Sequence, residues 1–535
     1  MNRKKAISLL LAFAMIGGMQ VGCGSASDGA TSSENESART SEPDVTGTEE
    51  VTEGAEVVSQ ETTSVSEASA GSDFSGQEPY TVNIVLAGYG TEDACKEIGD
   101  AMTAITKSKY NTSIEIIRYD FSTHQDQVQT ALASGEKIDL MAALSWMTIP
   151  SASSQGQILA LNDLLNEYGK DILADTSADE LATTSVNDQV YAVRNNKELG
   201  LGIGLACNTE MLEATGMDYS NVKTEADMQP ILEKVKKLYP DVYPMGTDVG
   251  NMDPSMAIDW LGRDVGVLMD AFSEDTTVVN YYTSDKYYEQ CKRRHTWVQN
   301  GLIMPEPSIN TENVSDMMAA GKVFCATTET KPGIESQWER NTGKDITIIP
   351  IVDDYTMTSC YNNYWVIPYT CEQPERAMQI LNEIYCNPDL ENLLIYGIEG
   401  KDYIFTDKEN GVVSYPEGVS SQEDTGWQVA AWHMPNELIA YKWETDGADI
   451  WDQTKQFNEN CHKSPAMGFV WDSTPVTNEI VACTTVIQKY KKGLDTGDVD
   501  PDSVWDQMKE EFEEAGIDKV LGEKQRQLDA YRASK

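Results

Sequence analysis

From Tyr80 onward, apolar and polar positions follow two rhythms. Tyr80, Val82, Ile84 and Leu86 are separated by smaller or polar residues, the two-residue period of a strand. After Gly88-Tyr89-Gly90, a turn signal, Ile98, Met102 and Ile105 recur at helical spacing. The pattern then predicts a strand over Ile114 to Tyr119, a helix around Val128 and Leu132 closed by Gly135, and an apolar strand over Ile138 to Ala143. Further helices are predicted over 226–238, 286–299 and 375–385. In the last, Ala377, Ile380, Leu381, Ile384 and Tyr385 form one apolar face and Pro374 occupies the first turn. Near the end, Ile480, Cys483 and Ile487 share one helix face and Val504, Met508 and Phe512 another, before Ala515-Gly516 breaks the pattern. Strands alternating with helices imply βαβ units and a largely parallel, covered sheet, that is, an α/β fold. A chain of 535 residues is too long for a single core and predicts two domains or one large composite.

The region before Tyr80 lacks this patterning. Asn2-Arg3-Lys4-Lys5 is basic, and Ala6 to Ile16 is an apolar run too short to span a bilayer, the form of a secretory signal. Gln20-Val21-Gly22-Cys23 resembles the bacterial lipobox, although Gln20 stands where an aliphatic residue is usual. The resemblance implies lipidation at Cys23, a signal peptide over 1–23, and a protein anchored to the cell membrane by lipid and facing outward. Residues 24–79 are rich in Ser, Thr, Glu, Gly and Ala, with 13 acidic residues against one Arg. Such a segment cannot bury enough apolar surface to offset its ordering entropy and is expected to be a disordered acidic tether.

A net charge of −47 opposes binding to nucleic acid and to anionic lipid heads, and argues more weakly against a polyanionic ligand. Nine cysteines follow Cys23 without a CxxC pair, which predicts reduced, mostly buried thiols in place of a disulfide framework. The four histidines, at 124, 295, 433 and 462, form no HExxH or zinc-ligand spacing, there is no GxSxG, and the adjacent Cys461-His462 stands alone. No cofactor or metal is implied, and the chain is expected not to be an enzyme. A secreted glycoside hydrolase, built on two of the many carboxylates, is the competing enzyme class. Gly200-Leu201-Gly202-Ile203-Gly204 lacks nucleotide-fingerprint spacing. In a strand its glycines share one bare face, predicting either close packing there or an interlobe hinge.

Several segments resemble the extracellular solute-binding proteins of ABC importers, the sugar-binding group that includes maltose-binding protein. They are Ala131 to Leu140 (ALASGEKIDL), Gln157 to Tyr168 (QILALNDLLNEY) and Asn187 to Val193 (NDQVYAV). The subgroup of LipO-like binders with a long C-terminal extension is resembled through Tyr396 to Tyr403 (YGIEGKDY), Gly468 to Asp472 (GFVWD), Pro475 to Ile480, Asp498 to Pro501, Ala515 to Val520 and Glu523 to Asp529. The resemblance implies a two-lobed periplasmic-binding-protein-like fold with an interlobe hinge and ligand cleft. By analogy, lobe one takes 80–195 plus 326–362, and lobe two takes 196–325 plus 363–535 with the C-terminal helices. The implied function is capture of a small solute, an oligosaccharide foremost, for an ABC permease, by a monomer. A receptor that docks a membrane sensor is the alternative.

Sugar clefts combine aromatic faces, which pack on ring C–H groups, with planar polar groups that bond hydroxyls. Trp146 and Trp365, at strand ends or crossings, are the first candidates, followed by Trp260, Trp427, Trp432 and Tyr364; Trp443 is also placed where loops line the cleft. For any single Trp a place in the core competes, and Trp297 and Trp505 are assigned to packing. Trp471 faces either ligand or core. Asp139 and Asn363 are candidate hydroxyl partners, with turn capping the alternative for Asp139. Arg194 either clamps a ligand carboxylate or pairs with an acidic side chain, and the pairing is favoured.

Overall fold

The computed structural model describes residues 74–535, apart from 122, 145, 247–254, 263–264, 311, 359–362 and 420–424. The expected signal peptide, Cys23 and residues 24–73 of the tether lie outside the described residues, whereas 74–79 belong to the fold and not to a tether: Phe74 is buried, and the Glu78 carbonyl accepts from Arg376 Nη2 at 2.8 Å.

Two five-stranded sheets organise the described chain. The first runs in the order Thr112–Tyr119, Tyr80–Ala87, Leu140–Ala143, Tyr364–Val366, Val193–Arg194. Its first three strands are parallel, and Tyr364–Val366 is antiparallel to both neighbours. Val82, Ile84 and Leu86 point into one apolar layer and Val85 into the other, so both faces are covered. The Glu92–Tyr110 helix starts at Thr91, whose hydroxyl accepts from Ala94 N–H, and ends at Asn111 in the left-handed conformation.

The second sheet runs His462–Lys463, Ile346–Thr356, Leu201–Asn208, Val323–Thr330, Tyr243–Met245. Its centre, Leu201–Asn208, is buried throughout and antiparallel to both long neighbours. A Cβ on Gly200 would overlap the Cys461 side chain, one on Gly202 would overlap Thr330 and Asp354, and one on Gly204 would lie 2.6 Å from the Ile349 carbonyl oxygen. The bare face is therefore occupied by close neighbours, the first of the two readings offered by the glycine pattern.

The sheets redraw the lobe boundaries expected above. Residues 326–362 carry most of Val323–Thr330 and all of Ile346–Thr356, whose ladders run along Leu201–Asn208 and place them in the second lobe. From Asn363 the chain continues in the first lobe through Tyr364–Val366 and the helices Pro374–Cys386 and Pro388–Tyr396. The Pro374–Cys386 helix is buried from Arg376 to Tyr385, more completely than a one-faced pattern requires, because it is enclosed by other helices as well as by the sheet. The chain re-enters the second lobe through the Ile450–Asn460 helix. Helices Thr477–Asp495, Trp505–Glu514 and Ile517–Ser534 then pack with Met256–Cys291 in a separate apolar cluster. No helix among the described residues is long and apolar enough to cross a membrane.

Candidate functional site

Parallel strands deliver their following loops to one edge of a sheet, and in open α/β sheets ligands bind outside that carboxyl edge. In the first lobe the edge carries Gly88-Tyr89, Asp120-Phe121, Trp146-Met147 and the start of the antiparallel strand, Asn363-Tyr364. The 427–437 segment is laid along the same edge: Trp427-Gln428 pair with Tyr89-Gly90, and the Trp432 carbonyl accepts from Asn195 Nδ2 at 3.3 Å. Trp432 stacks on Phe121 at 6.0 Å, and Phe121 meets Tyr89 at 6.1 Å. Trp432 is 37% exposed, so this row of rings presents an apolar face.

Two recesses lie between residues of the two lobes. The smaller, about 50 Å³, is bounded on one side by Met147, Thr148, Ile149, Pro150, Thr183 and Tyr364, and on the other by Gly262, Thr358, Phe469, Val470 and Trp471. This is room for a few waters and not for a sugar ring. The larger, about 200 Å³, brings Tyr396, Tyr441 and Trp443 together with Trp451, Glu198, Lys331, Gln337, Arg340, Glu437 and Asp446. Its rings are fixed: Tyr396 OH donates to the Tyr441 carbonyl at 2.8 Å, and Trp451 Nε1 to the Ala440 carbonyl at 2.7 Å.

The charges of the larger recess are organised around Glu198. Both Lys331 and Lys197 place Nζ 3.0 Å from its Oε1. Burial alone would raise the Glu198 pKa, but the two ammonium groups outweigh it and hold the carboxyl well below its ordinary range. Glu437 has the opposite fate. Burial, reinforced by the Glu198 charge, pushes it up to about 7, and its Oε2 is buried without a protein hydrogen-bond partner. A ligand hydroxyl donating to that oxygen would satisfy it. The backbone of Glu437 is tied to the lobe crossing, its N–H donating to the Asn196 carbonyl at 2.9 Å.

Beneath this segment, Glu391 is fully buried; its Oε1 accepts from Asn436 N–H at 2.8 Å, and burial pushes its pKa from an ordinary 4.5 to about 8. A raised carboxyl pKa in the fold gives stability that is complete below pH 4.5 and lost as pH rises through 8. Glu391→Gln is therefore expected to be near-neutral at pH 5 and stabilising at pH 9, on the order of 3 kcal/mol. Urea unfolding at the two pH values checks this, and equal midpoint shifts at both would contradict it.

Residues 100–396 match the family of bacterial extracellular solute-binding proteins, over half of the chain. The chain belongs to that family. Residues 465–533 match a second family, described as a domain of unknown function (DUF3502). A carbohydrate ABC transporter substrate-binding protein of Streptococcus pneumoniae is 26% identical over 438 residues, which is 81% of this chain and 87% of the relative. The crystal structure of the N-glycan transport solute-binding protein (NgtS) of the same organism superposes with a TM-score of 0.75 at 25% identity, covering 85% of this chain and 99% of that one. An extracellular solute-binding protein from Bifidobacterium longum subsp. infantis shares the fold, with a TM-score of 0.62 at 16% identity, covering 86% of this chain and 100% of that one. The family assignment makes this solute-binding protein a non-catalytic binder.

Within this solute-binding protein the candidates from sequence separate into two groups. Trp146, Trp432, Asn363 and Tyr364 stand at the edge or in the smaller recess. Trp146 is half-buried, its Nε1 donating to His124 Nδ1 at 3.3 Å. Trp365 and Trp427 are core residues, 0% and 1% exposed, whose Nε1 atoms donate to the carbonyls of His433 and Leu394, both at 2.9 Å. Trp365 fails as a ligand residue because strand alternation turns it inward when its neighbour Tyr364 faces the recess. Asp139 lies at the opposite, amino end of its strand. It is fully buried and accepts from Tyr80 OH at 2.6 Å and Asn83 N–H at 2.8 Å. Arg194 is buried and pairs with Glu180 at 2.8 Å, the acid-pairing reading. Trp260 packs edge-on against Tyr281 at 5.4 Å, and Trp297 is wholly buried. Trp471 is 5% exposed in the core and also lines the smaller recess. Trp451, Glu198, Lys331 and Glu437 were not singled out from sequence. The signal that could have found them is the grouping of Tyr441, Trp443 and Trp451 within eleven residues.

Proposed function

We propose that this protein captures an oligosaccharide between its lobes and delivers it to the permease of an ABC importer. In this reading it acts as a monomer held at the outer face of the cell membrane by a lipid on Cys23, with residues 24–73 as tether. The observation that carries the reading is the larger recess, where aromatic rings stand beside half-buried acids, a lysine and an arginine. Rings suit the C–H faces of a sugar, and the carboxylates and Gln337 suit its hydroxyls. The relatives' names support the same class: one is a carbohydrate ABC transporter substrate-binding protein and another an N-glycan transport protein crystallised with Man5GlcNAc.

Calorimetric titration of the exported chain with Man5GlcNAc, Man1GlcNAc and a panel of plant and host oligosaccharides tests this, with the sugar analysed afterwards for cleavage. Saturable binding with intact sugar is expected; silence to every glycan, or product formation, would overturn the reading. Trp443→Ala is expected to weaken the strongest ligand by about 2 kcal/mol, roughly 30-fold. An unchanged affinity in that variant would move the site away from the larger recess.

A further inference from the structure

The C-terminal helices are the part of the fold that the two-lobed capture scheme does not require, and residues 465–533 match a family without an assigned role. Their placement suggests one. The first residues of this segment form the second-lobe wall of the smaller recess, with Phe469, Val470 and Trp471 facing Met147–Pro150 and Tyr364 of the first lobe.

The last helix clasps that wall. Asp472 N–H donates to Gln527 Oε1 at 3.1 Å, and Gln527 Nε2 donates back to the Asp472 carbonyl at 2.9 Å. Tyr531 OH and Lys535 Nζ both donate to the Met467 carbonyl, and the rings of Phe469 and Tyr531 lie 5.9 Å apart. Gly468, between them, has φ +85, a turn that a side chain would strain. Lys524 is 0% exposed, and its Nζ sits 5.1 Å from the centroid of the Trp471 ring while donating to the Gly266 carbonyl at 3.1 Å. An ammonium buried against an indole face is a directional contact, favoured by the ring quadrupole and lost when the ring turns. The clasp therefore fixes both the depth of the wall and the orientation of its indole.

We propose that the 465–533 segment is a specificity wall of the cleft. Phe469 and Trp471 contact one unit of the bound oligosaccharide where the lobes part at the smaller recess, and Lys524 is the positioning residue for Trp471. The wall thereby selects longer or branched oligosaccharides over short ones. The proposal rests on the oligosaccharide reading above and goes beyond it in assigning a role to this segment.

The test titrates the exported chain and its variants with Man5GlcNAc and Man1GlcNAc, each variant first shown to melt cooperatively. The wild type is expected to prefer the larger glycan. Trp471→Leu and Phe469→Leu are each expected to lower affinity for Man5GlcNAc about 10-fold while changing that for Man1GlcNAc less than about 2-fold. Lys524→Met is expected to reproduce that loss of preference, and Lys524→Arg, which keeps a cation under the ring, to restore it. Gln527→Ala, which loosens the clasp from the helix surface, gives a second route should the Lys524 variants not fold. A wild type without length preference would overturn the proposal, as would variants that weaken both glycans equally or neither. A wild type that binds no glycan overturns the functional reading instead, a separate outcome.

Discussion

Replacing Trp365 by alanine is expected to destabilise the fold by about 3–5 kcal/mol while leaving the ligand affinity of the folded protein unchanged. The side chain is wholly buried in the apolar layer with Val82, Ile84, Leu140 and Ile380, and it pairs across the sheet with Ala142 and Val193. Truncation leaves a cavity in a layer bounded by hydrogen-bonded strands, which cannot collapse to fill it, and strands the His433 carbonyl that accepts from Nε1. Trp365→Phe is expected to recover most of the packing but not the hydrogen bond. Urea unfolding of both variants beside calorimetric titration separates the two roles. An alanine variant of normal stability that no longer binds would return Trp365 to the cleft.

The second large effect is expected at Glu225, whose carboxylate is wholly buried. Its Oε1 receives Arg294 Nε at 3.0 Å and Nη2 at 2.8 Å, and its Oε2 receives Arg293 Nε at 2.8 Å. Arg294 also donates from Nη1 to the Asp495 carbonyl at 2.8 Å, so the group joins the second-lobe helix Asp285–Gln299 to the C-terminal helix Thr477–Asp495. Removing one member of such a pair leaves buried cationic charge without its counter-ion, which costs more than the pair itself contributes. Glu225→Gln is expected to lower stability by about 3–5 kcal/mol, and Arg293→Met, at the more exposed member, by less. Chemical denaturation orders the variants, and a Gln variant within error of wild type would contradict this account.

What could be read from the sequence was what depends on local period. The strands Tyr80–Ala87 and Thr112–Tyr119 and the Gly135 helix stop follow from spacing that neighbours do not alter. Lobe membership did not follow, because it is decided by pairing over long separations: Ile349 lies opposite Leu205, and no local signal shows that Ile346–Thr356 belongs beside Leu201–Asn208. The site was half legible for the same reason. Rings near strand ends were recognisable, but one residue of register decides whether a ring faces core or cleft, as Tyr364 and Trp365 show. Glu437 and Glu198 carry no motif, and what distinguishes them is burial beside each other, created only when the crossing at Asn196 pairs with the 435–437 segment.

The most direct test of the central claim is a crystal structure of the exported chain with Man5GlcNAc at saturating concentration. The glycan is expected between the lobes, with one unit against Trp443 or Trp451 and a hydroxyl within hydrogen-bond distance of Glu437. A glycan bound on the outer surface of one lobe, with the larger recess unchanged, would contradict it.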